Sequence, residues 1–590
     1  MNIFDERIHL LQQQMKKDGI KSYVIFATDP HMSEEAAPYF TRERFYFCSF
    51  KGNDGTLLVT QDHYYLYTDG RYWTQAEKEL EGTECVLVYD GKANVPTLTE
   101  YIHENELYPL GLDASMLSSG QLKGFYLDKD HKIIQKSYRK MVKDLPSLPK
   151  GKIFSLDASL LSTTREERIS HMVSFAQKRG GKAILFTALD DIAYLLGYRG
   201  RDIQYTPVFY SYLYVTTDNE IHLFIDEDKL PENFDSDIIV HPYESFIPFL
   251  KERKDIPTVL DNKQANALIC ATLKNRIYAT NPAYLEKSVK GEVEIENTKK
   301  IQAIDGLQVL KLMKYIDEHV KDGNLSELSC AKYLDNLRLQ EDLCFDLSFT
   351  TISAVDENAA MLHYAPSEEN NAPLREDSKL LLVDSGGQYY GGTTDTTRTF
   401  LINPNVDEEV KHDYTLTLKS QIALTTTIFE KGCSGRSIDI KARQIMWDEG
   451  LDYKCGTGHG VGYISCVHEG PVGFRYYVRP GVEDGYPIQL GQIITVEPGV
   501  YKPHKHGIRL ENNLLVVPAC ETSDGIFYRF ETITYCPYDR RGINLDELTE
   551  KEIAWVDEYH KQCYELLSPL CKEDEDLRSY LREQCKPLRA

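Results

Sequence analysis

The chain has 590 residues, enough for several hydrophobic cores, and about three to five domains is the prior at ~100–200 residues each. Apolar residues make up 42% and charged residues 27%, the balance of an ordinary globular protein. A formal net charge of −24 argues against nucleic acid or an anionic membrane as the main partner, because both select basic surfaces.

Asp5 and Glu6 stand where a secretory leader carries basic residues, and no apolar core follows them. No apolar run approaches the ~18 residues of a membrane span. The 13 cysteines are odd in number, scattered and without a C-x-x-C pair, which predicts free thiols in a reducing cytoplasm. The sequon at Asn324 then carries no information.

Two segments read as versions of one α/β unit. An amphipathic stretch, ERIHLLQQQMKKDG, precedes the strand-like KSYVIFATDP and the β-rich pair in GTLLVTQDHYYLYTDGRY, which turns at Gln61-Asp62. After the linker KDLPSLPKG at 143–151, the order repeats: REERISHMVSFAQKRG, KAILFTALD, then YSYLYVTTDNEIHLFID turning at Asp218-Asn219. Domains over 1–150 and 151–290 follow, related by duplication or simply two α/β units. A third region, 291–590, opens with the charged helix in KGEVEIENTKKIQAIDGLQVLKLMKYIDEHV and alternates helices with hairpins. Its last part, about 540–590, reads as helices, with Asp546 as a capping residue. The apolar positions of this tail must pack on the third region or on a partner.

Five residues of metal-ligand type fall in the third region: Asp384, Asp395, His459, Glu497 and Glu511. Leu381 to Asp384 is a buried-strand run, Thr393 to Phe400 is β-branched, and SGGQYYGG between them can turn the chain back, bringing Asp384 to Asp395. Taken alone, that pair reads equally as two strand-end aspartates. Glu497 closes QIITVE and Glu511 closes GIRLE, alternating with apolar neighbours so that each can project into a cleft. His459 sits in GTGHGVG, where small residues leave room around the ring, although a lone histidine in a tight turn is more often structural. Four carboxylates and one imidazole without a thiolate suit two hard divalent cations, Mn²⁺ first, with Co²⁺ or Zn²⁺ as substitutes. The sequence contains no H-E-x-x-H, G-x-S-x-G or G-x-G-x-x-G pattern, which removes a zincin, a serine hydrolase elbow and a dinucleotide site.

The blocks DSGGQYYGGTTDTTRT, GHGVGYISCVHEGP, VEPGVY and GIRLEN, in that order, closely resemble the pita-bread metallopeptidases, and within them the Xaa-Pro aminopeptidases. The resemblance covers essentially the whole chain. It implies an α/β (α+β) protein of three domains: two related creatinase-like N-terminal domains, then a pita-bread catalytic domain with a C-terminal helical extension. It implies that Asp384 is a terminal ligand of one metal, that Asp395 and Glu511 bridge both, and that His459 and Glu497 complete the second. His363 in MLHYAP and His468 in VHEGP become histidines that position substrate and stabilise the tetrahedral intermediate, and Arg509 an arginine that supports the bridging carboxylate. The implied reaction is hydrolysis of the Xaa-Pro bond at a peptide N-terminus by a hydroxide held between two metals, with Glu497 managing its proton. A homodimer is implied as well.

The chain departs from the family pattern at AVDENAAM, at Thr350-Thr351 and at Cys466, all near the substrate pocket and none among the metal ligands. A prolidase, restricted to Xaa-Pro dipeptides, is the nearest alternative. A non-catalytic pita-bread binding module is the other, disfavoured because all five ligands are present.

Overall fold

The computed structural model describes residues 2–126, 131–403, 405–477 and 485–589. Two compact units emerge, one of residues 1–156 with 163–284, the other of 157–162 with 285–590.

The first unit contains two six-stranded sheets. In the first, β1 (Ser22–Ile25), β2 (Thr56–Thr60), β3 (Tyr64–Thr68), β4 (Val86–Tyr89), β5 (Leu110–Leu112) and β6 (Ile133–Gln135) run in the order β4-β3-β2-β1-β5-β6. In the second, β7 (Ala183–Phe186), β8 (Tyr212–Thr216), β9 (Ile221–Phe224), β10 (Ile238–His241), β11 (Thr258–Leu260) and β12 (Arg276–Tyr278) run β10-β9-β8-β7-β11-β12. The directions match as well. Each first strand pairs antiparallel with the second and parallel with the fifth, and the third and fourth run parallel. The two segments that repeat in sequence therefore share one topology. Helices α1 (Ile3–Lys17) and α2 (Arg165–Lys178) occupy equivalent places before β1 and β7; Thr164 and Glu167 form a capping box at the second.

The second unit begins with α3 (Glu292–His319) and α4 (Glu327–Leu339). Strands β13 (Ile352–Val355), β14 (Leu380–Ser385) and β15 (Thr396–Leu401) form an antiparallel sheet in that order, and every residue of β14 and β15 is buried. Both are apolar or threonine-rich, as a strand covered on two faces requires. Helices α5 (Glu408–Thr425) and α6 (Gly435–Asp448) follow. A larger sheet places Phe429–Glu430, β22 (Gly525–Thr532), β21 (Asn512–Thr522), β18 (Ile493–Val496), β16 (Gly458–Gly460) and β17 (Glu469–Phe474) side by side. The hairpin β19 (Gly499–Lys502) and β20 (His506–Arg509) lies between β18 and β21 in sequence.

The tail forms α7 (Glu550–Leu567) and α8 (Glu575–Gln584). Asp546 does not cap it. Thr549 does, in a capping box with Glu552, because its hydroxyl reaches the Glu552 N–H while Asp546 lies inside a preceding 3₁₀ turn. Ile553, Val556, Tyr559, Leu567, Leu577 and Leu581 share one core with Leu310, Leu380, Leu401 and Tyr414, so the tail's apolar face is covered within the chain. All thirteen cysteines are free thiols, and among the described residues no helix is long and apolar enough to cross a membrane.

Candidate active site

Antiparallel pairing of β14 with β15 sets Asp384 opposite Thr397 and Ser385 opposite Thr396, which leaves Asp395 one residue before β15 and diagonal to Asp384. The glycine-rich segment between them forms the hairpin predicted from its composition, with Gly391 at φ 137°, where a side chain is strained. From the larger sheet, β16 contributes His459, the residue after β18 is Glu497, and the residue before β21 is Glu511. The glycines around His459 serve a purpose other than room for the ring. A Cβ at Gly458 would lie 1.8 Å from the Thr495 carbonyl oxygen, so they allow neighbouring strands to approach.

Asp395, His459 and Glu511 offer ligand atoms that all lie within 4.8 Å of one another. His459 Nε2 is 3.4 Å from Asp395 Oδ2 and 3.5 Å from Glu497 Oε1. Its Nδ1 lies 3.0 Å from the Gly460 carbonyl, which selects the tautomer carrying a proton on Nδ1 and turns the Nε2 lone pair toward those carboxylates. Acceptors facing acceptors at such distances require a proton or a cation among them.

Asp384 stands at the side of this triad. Its Oδ2 accepts from Arg509 Nη2 at 2.7 Å, while Oδ1 is buried with no hydrogen-bond partner among the described residues. Burial, opposed by Arg509 and reinforced by Asp395, pushes its carboxyl up to about 6. Burial and then the charges of Asp395, Asp384 and Glu497 hold Glu511 well above the usual carboxylate range. Burial raises Asp395 too, but hydrogen bonding and charge from His459, with the charge of His468, outweigh it and keep that group low. Such crowding disfavours ionisation unless positive charge enters. An orphaned carboxylate oxygen, an imidazole lone pair and three mutually repelling carboxylates thus fit a hard-cation site well.

Arg509 is buried and has more partners than its sequence position implies. Nη1 donates to the Tyr501 oxygen at 2.8 Å, Nε to Thr397 Oγ1 at 3.1 Å, and Nη2 also to the Leu362 carbonyl at 3.4 Å. Its direct carboxylate is Asp384. Its hydrogen-bonded link to Glu511 among the described residues runs through Thr397, whose hydroxyl donates to Glu511 Oε2 at 2.9 Å. His468 is exposed at the site's edge, edge-on to His459 with ring centroids 4.2 Å apart. His363 is half-buried on the loop beside Leu362, which Arg509 ties to the site.

Sequence reading missed Thr397 and Thr495. Thr495 accepts from the His459 backbone N–H at 3.1 Å and donates to Glu497 Oε1 at 3.3 Å. Both threonines lie two residues from a ligand-type carboxylate, and the period of two on an extended chain was the signal available.

Known proteins resemble this chain over nearly its whole length. Residues 7–126 and 144–294 each match the Creatinase/Prolidase N-terminal domain, 296–518 match Metallopeptidase family M24, and 526–588 match the C-terminal region of peptidase M24. Xaa-Pro aminopeptidase 1 of Dictyostelium discoideum is 33% identical, over 99% of this chain and 96% of that protein. This chain belongs to metallopeptidase family M24. The crystal structure of the X-prolyl aminopeptidase from Caenorhabditis elegans, described as a cytosolic enzyme with a di-nuclear active site, matches this M24 chain with a TM-score of 0.92 at 29% identity, covering 99% of each. A probable Xaa-Pro aminopeptidase P of Laccaria bicolor is 33% identical over 99% of this chain and 93% of its own.

Proposed function

We propose that this M24 peptidase is an Xaa-Pro aminopeptidase, releasing the first residue of peptides that carry proline in second position. The observation that carries the reading is the convergence of Asp395, His459 and Glu511, flanked by Asp384 and Glu497, in a chain alike over its full length to proteins of that name. Asp384 would hold one divalent metal, His459 and Glu497 the other, and Asp395 and Glu511 both, with Mn²⁺ the metal favoured by the donor set. When bound, such a pair supplies an ionised water at neutral pH and a Lewis acid for the scissile carbonyl.

The chain's own residues do the rest. Glu497, less buried than the other carboxylates, is the group placed to accept the nucleophile's proton and pass it to the departing proline nitrogen. His468 and His363 donate to the oxygen on which negative charge develops, each worth roughly 3 kcal/mol. Arg509 locks the Asp384 carboxylate, because its planar guanidinium holds Asp384, Tyr501 and Thr397 on three separate nitrogens in one fixed geometry. Proline has no amide hydrogen and a fixed ring, so its bond needs a site shaped for it.

Three further readings belong to the same proposal. The chain divides functionally at 1–150, 151–290 and 291–590. It works as a homodimer, on the family resemblance. It resides in the cytoplasm, which the free thiols and the description of the Caenorhabditis elegans protein support. The test of the activity is a Xaa-Pro-Yaa tripeptide against the Xaa-Pro dipeptide in the presence of Mn²⁺. Tripeptide cleavage supports the aminopeptidase, and cleavage of the dipeptide alone would make the chain a prolidase.

A further inference from the structure

Glu327 is the first residue of α4 and is fully buried, yet among the described residues no cation pairs with it. Four donors surround it instead. The Val355 N–H and the Asn358 amide donate to Oε1 at 2.7 and 2.9 Å, and the Tyr364 hydroxyl and the Ala372 N–H donate to Oε2 at 2.6 and 2.7 Å. Its place at a helix N-terminus adds a favourable dipole. All four donors come from one segment, which leaves β13 at Val355, passes through His363 and returns at Ala372. A single carboxylate therefore ties the start, the middle and the end of the loop that carries His363.

Other contacts pin the same loop. Asp356, at φ 45°, accepts from the Lys379 and Leu380 N–H groups at 2.9 and 3.0 Å. Gly507 of β20 lies so close that a Cβ there would be 1.8 Å from the Ala359 oxygen. Arg509, two residues further on, reaches Leu362. Of these anchors only Glu327 spans the whole loop and touches no ligand-type residue of the site.

We propose that Glu327 is a positioning residue for catalysis: by accepting four hydrogen bonds it fixes the backbone on either side of His363 and so aims that imidazole at the reacting carbonyl. The inference rests on the reading of His363 as a substrate-positioning group. A carboxylate is required because every partner is a donor. A glutamine there must turn its NH₂ toward one of the two backbone N–H groups, leaving that group unpaired.

The test compares Glu327→Gln, Tyr364→Phe, His363→Ala and the double variant Glu327→Gln/His363→Ala in the metal-loaded full-length enzyme. Glu327→Gln should keep the parent metal stoichiometry and KM while kcat falls about 10²-fold, the scale of a misplaced catalytic group. The double variant should lose no more than about threefold beyond His363→Ala, since a group acting through His363 has nothing left to act on. Tyr364→Phe removes one donor and should show a smaller kcat loss that likewise vanishes on the His363→Ala background; it decides the matter if Glu327→Gln does not fold. Additive losses, loss of metal, or parent kcat in both Glu327→Gln and Tyr364→Phe would overturn the proposal while leaving the aminopeptidase reading standing. Parent activity in His363→Ala would instead sink the role of His363 and the proposal with it.

Discussion

Lys290, just before α3, forms a fully buried ion pair with Glu469, the neighbour of His468, and donates also to the Ser288 carbonyl at 3.2 Å. Lys290→Met removes the cation and breaks the buried ion pair from one side. Breaking one side of such a pair costs about 3–5 kcal/mol, whereas replacing both sides with neutral groups of similar volume is close to neutral. The unit that contains the pair has 312 residues, six from 157–162 and 306 from 285–590. At roughly 2.1 cal/mol/K per residue its unfolding entropy is about 0.65 kcal/mol/K, so 4 kcal/mol lowers Tm by about 6 °C. Differential scanning calorimetry of Lys290→Met and of Lys290→Met/Glu469→Gln provides the measurement. The single variant should lose about 6 °C in the transition of this unit and the double variant should recover most of it. A single variant within 1–2 °C of the parent, or a double variant worse than the single, would refute the account of a buried ion pair broken from one side.

The metal site allows three more tests. Asp395→Ala or Glu511→Ala should abolish metal binding and turnover together, and full metal content with activity would remove the shared-ligand assignment. His468→Ala should retain metal and lower kcat by ~10²-fold or more, measured as kcat beside metal analysis; lost metal would make it a ligand. Metal affinity should weaken as pH falls through 6, because the Asp384 carboxyl, pushed up to about 6, and Glu511, higher than usual, must shed protons to bind. Each proton to be released costs about tenfold in affinity per pH unit below the group's pKa. Titration calorimetry in buffers of differing ionisation heat counts the protons, and none released near pH 6 would contradict the crowding. The sign for stability follows from the same shift. A carboxyl raised on folding penalises the metal-free fold increasingly between the ordinary 3.8 and about 6 and in full above that, so the contribution of Asp384 makes the metal-free enzyme less stable at pH 7 than at pH 4.

Local sequence revealed those features whose cause is local. The turn between Asp384 and Asp395 was legible because a glycine-rich stretch between two β-branched runs has few alternatives to a hairpin. The repeat of the N-terminal sheets was legible because period-two patterns recur in the same order, and the shared strand order bears this out. The cap of α7 was misjudged because several side chains near residue 546 can cap, and only backbone geometry at Thr549 selects one.

The sequence by itself determined the family, the donor types and the elements that present them, since motif spacing and strand periodicity are properties of the chain. Tertiary structure alone decided that Arg509 grips Asp384 and reaches Glu511 through Thr397, that the tail is covered within the chain, and that Glu327 collects four donors from the loop bearing His363. Those contacts join residues far apart in sequence. Desolvation selects them by making a buried charge or N–H without a partner costly, and that cost leaves no periodic mark on the chain.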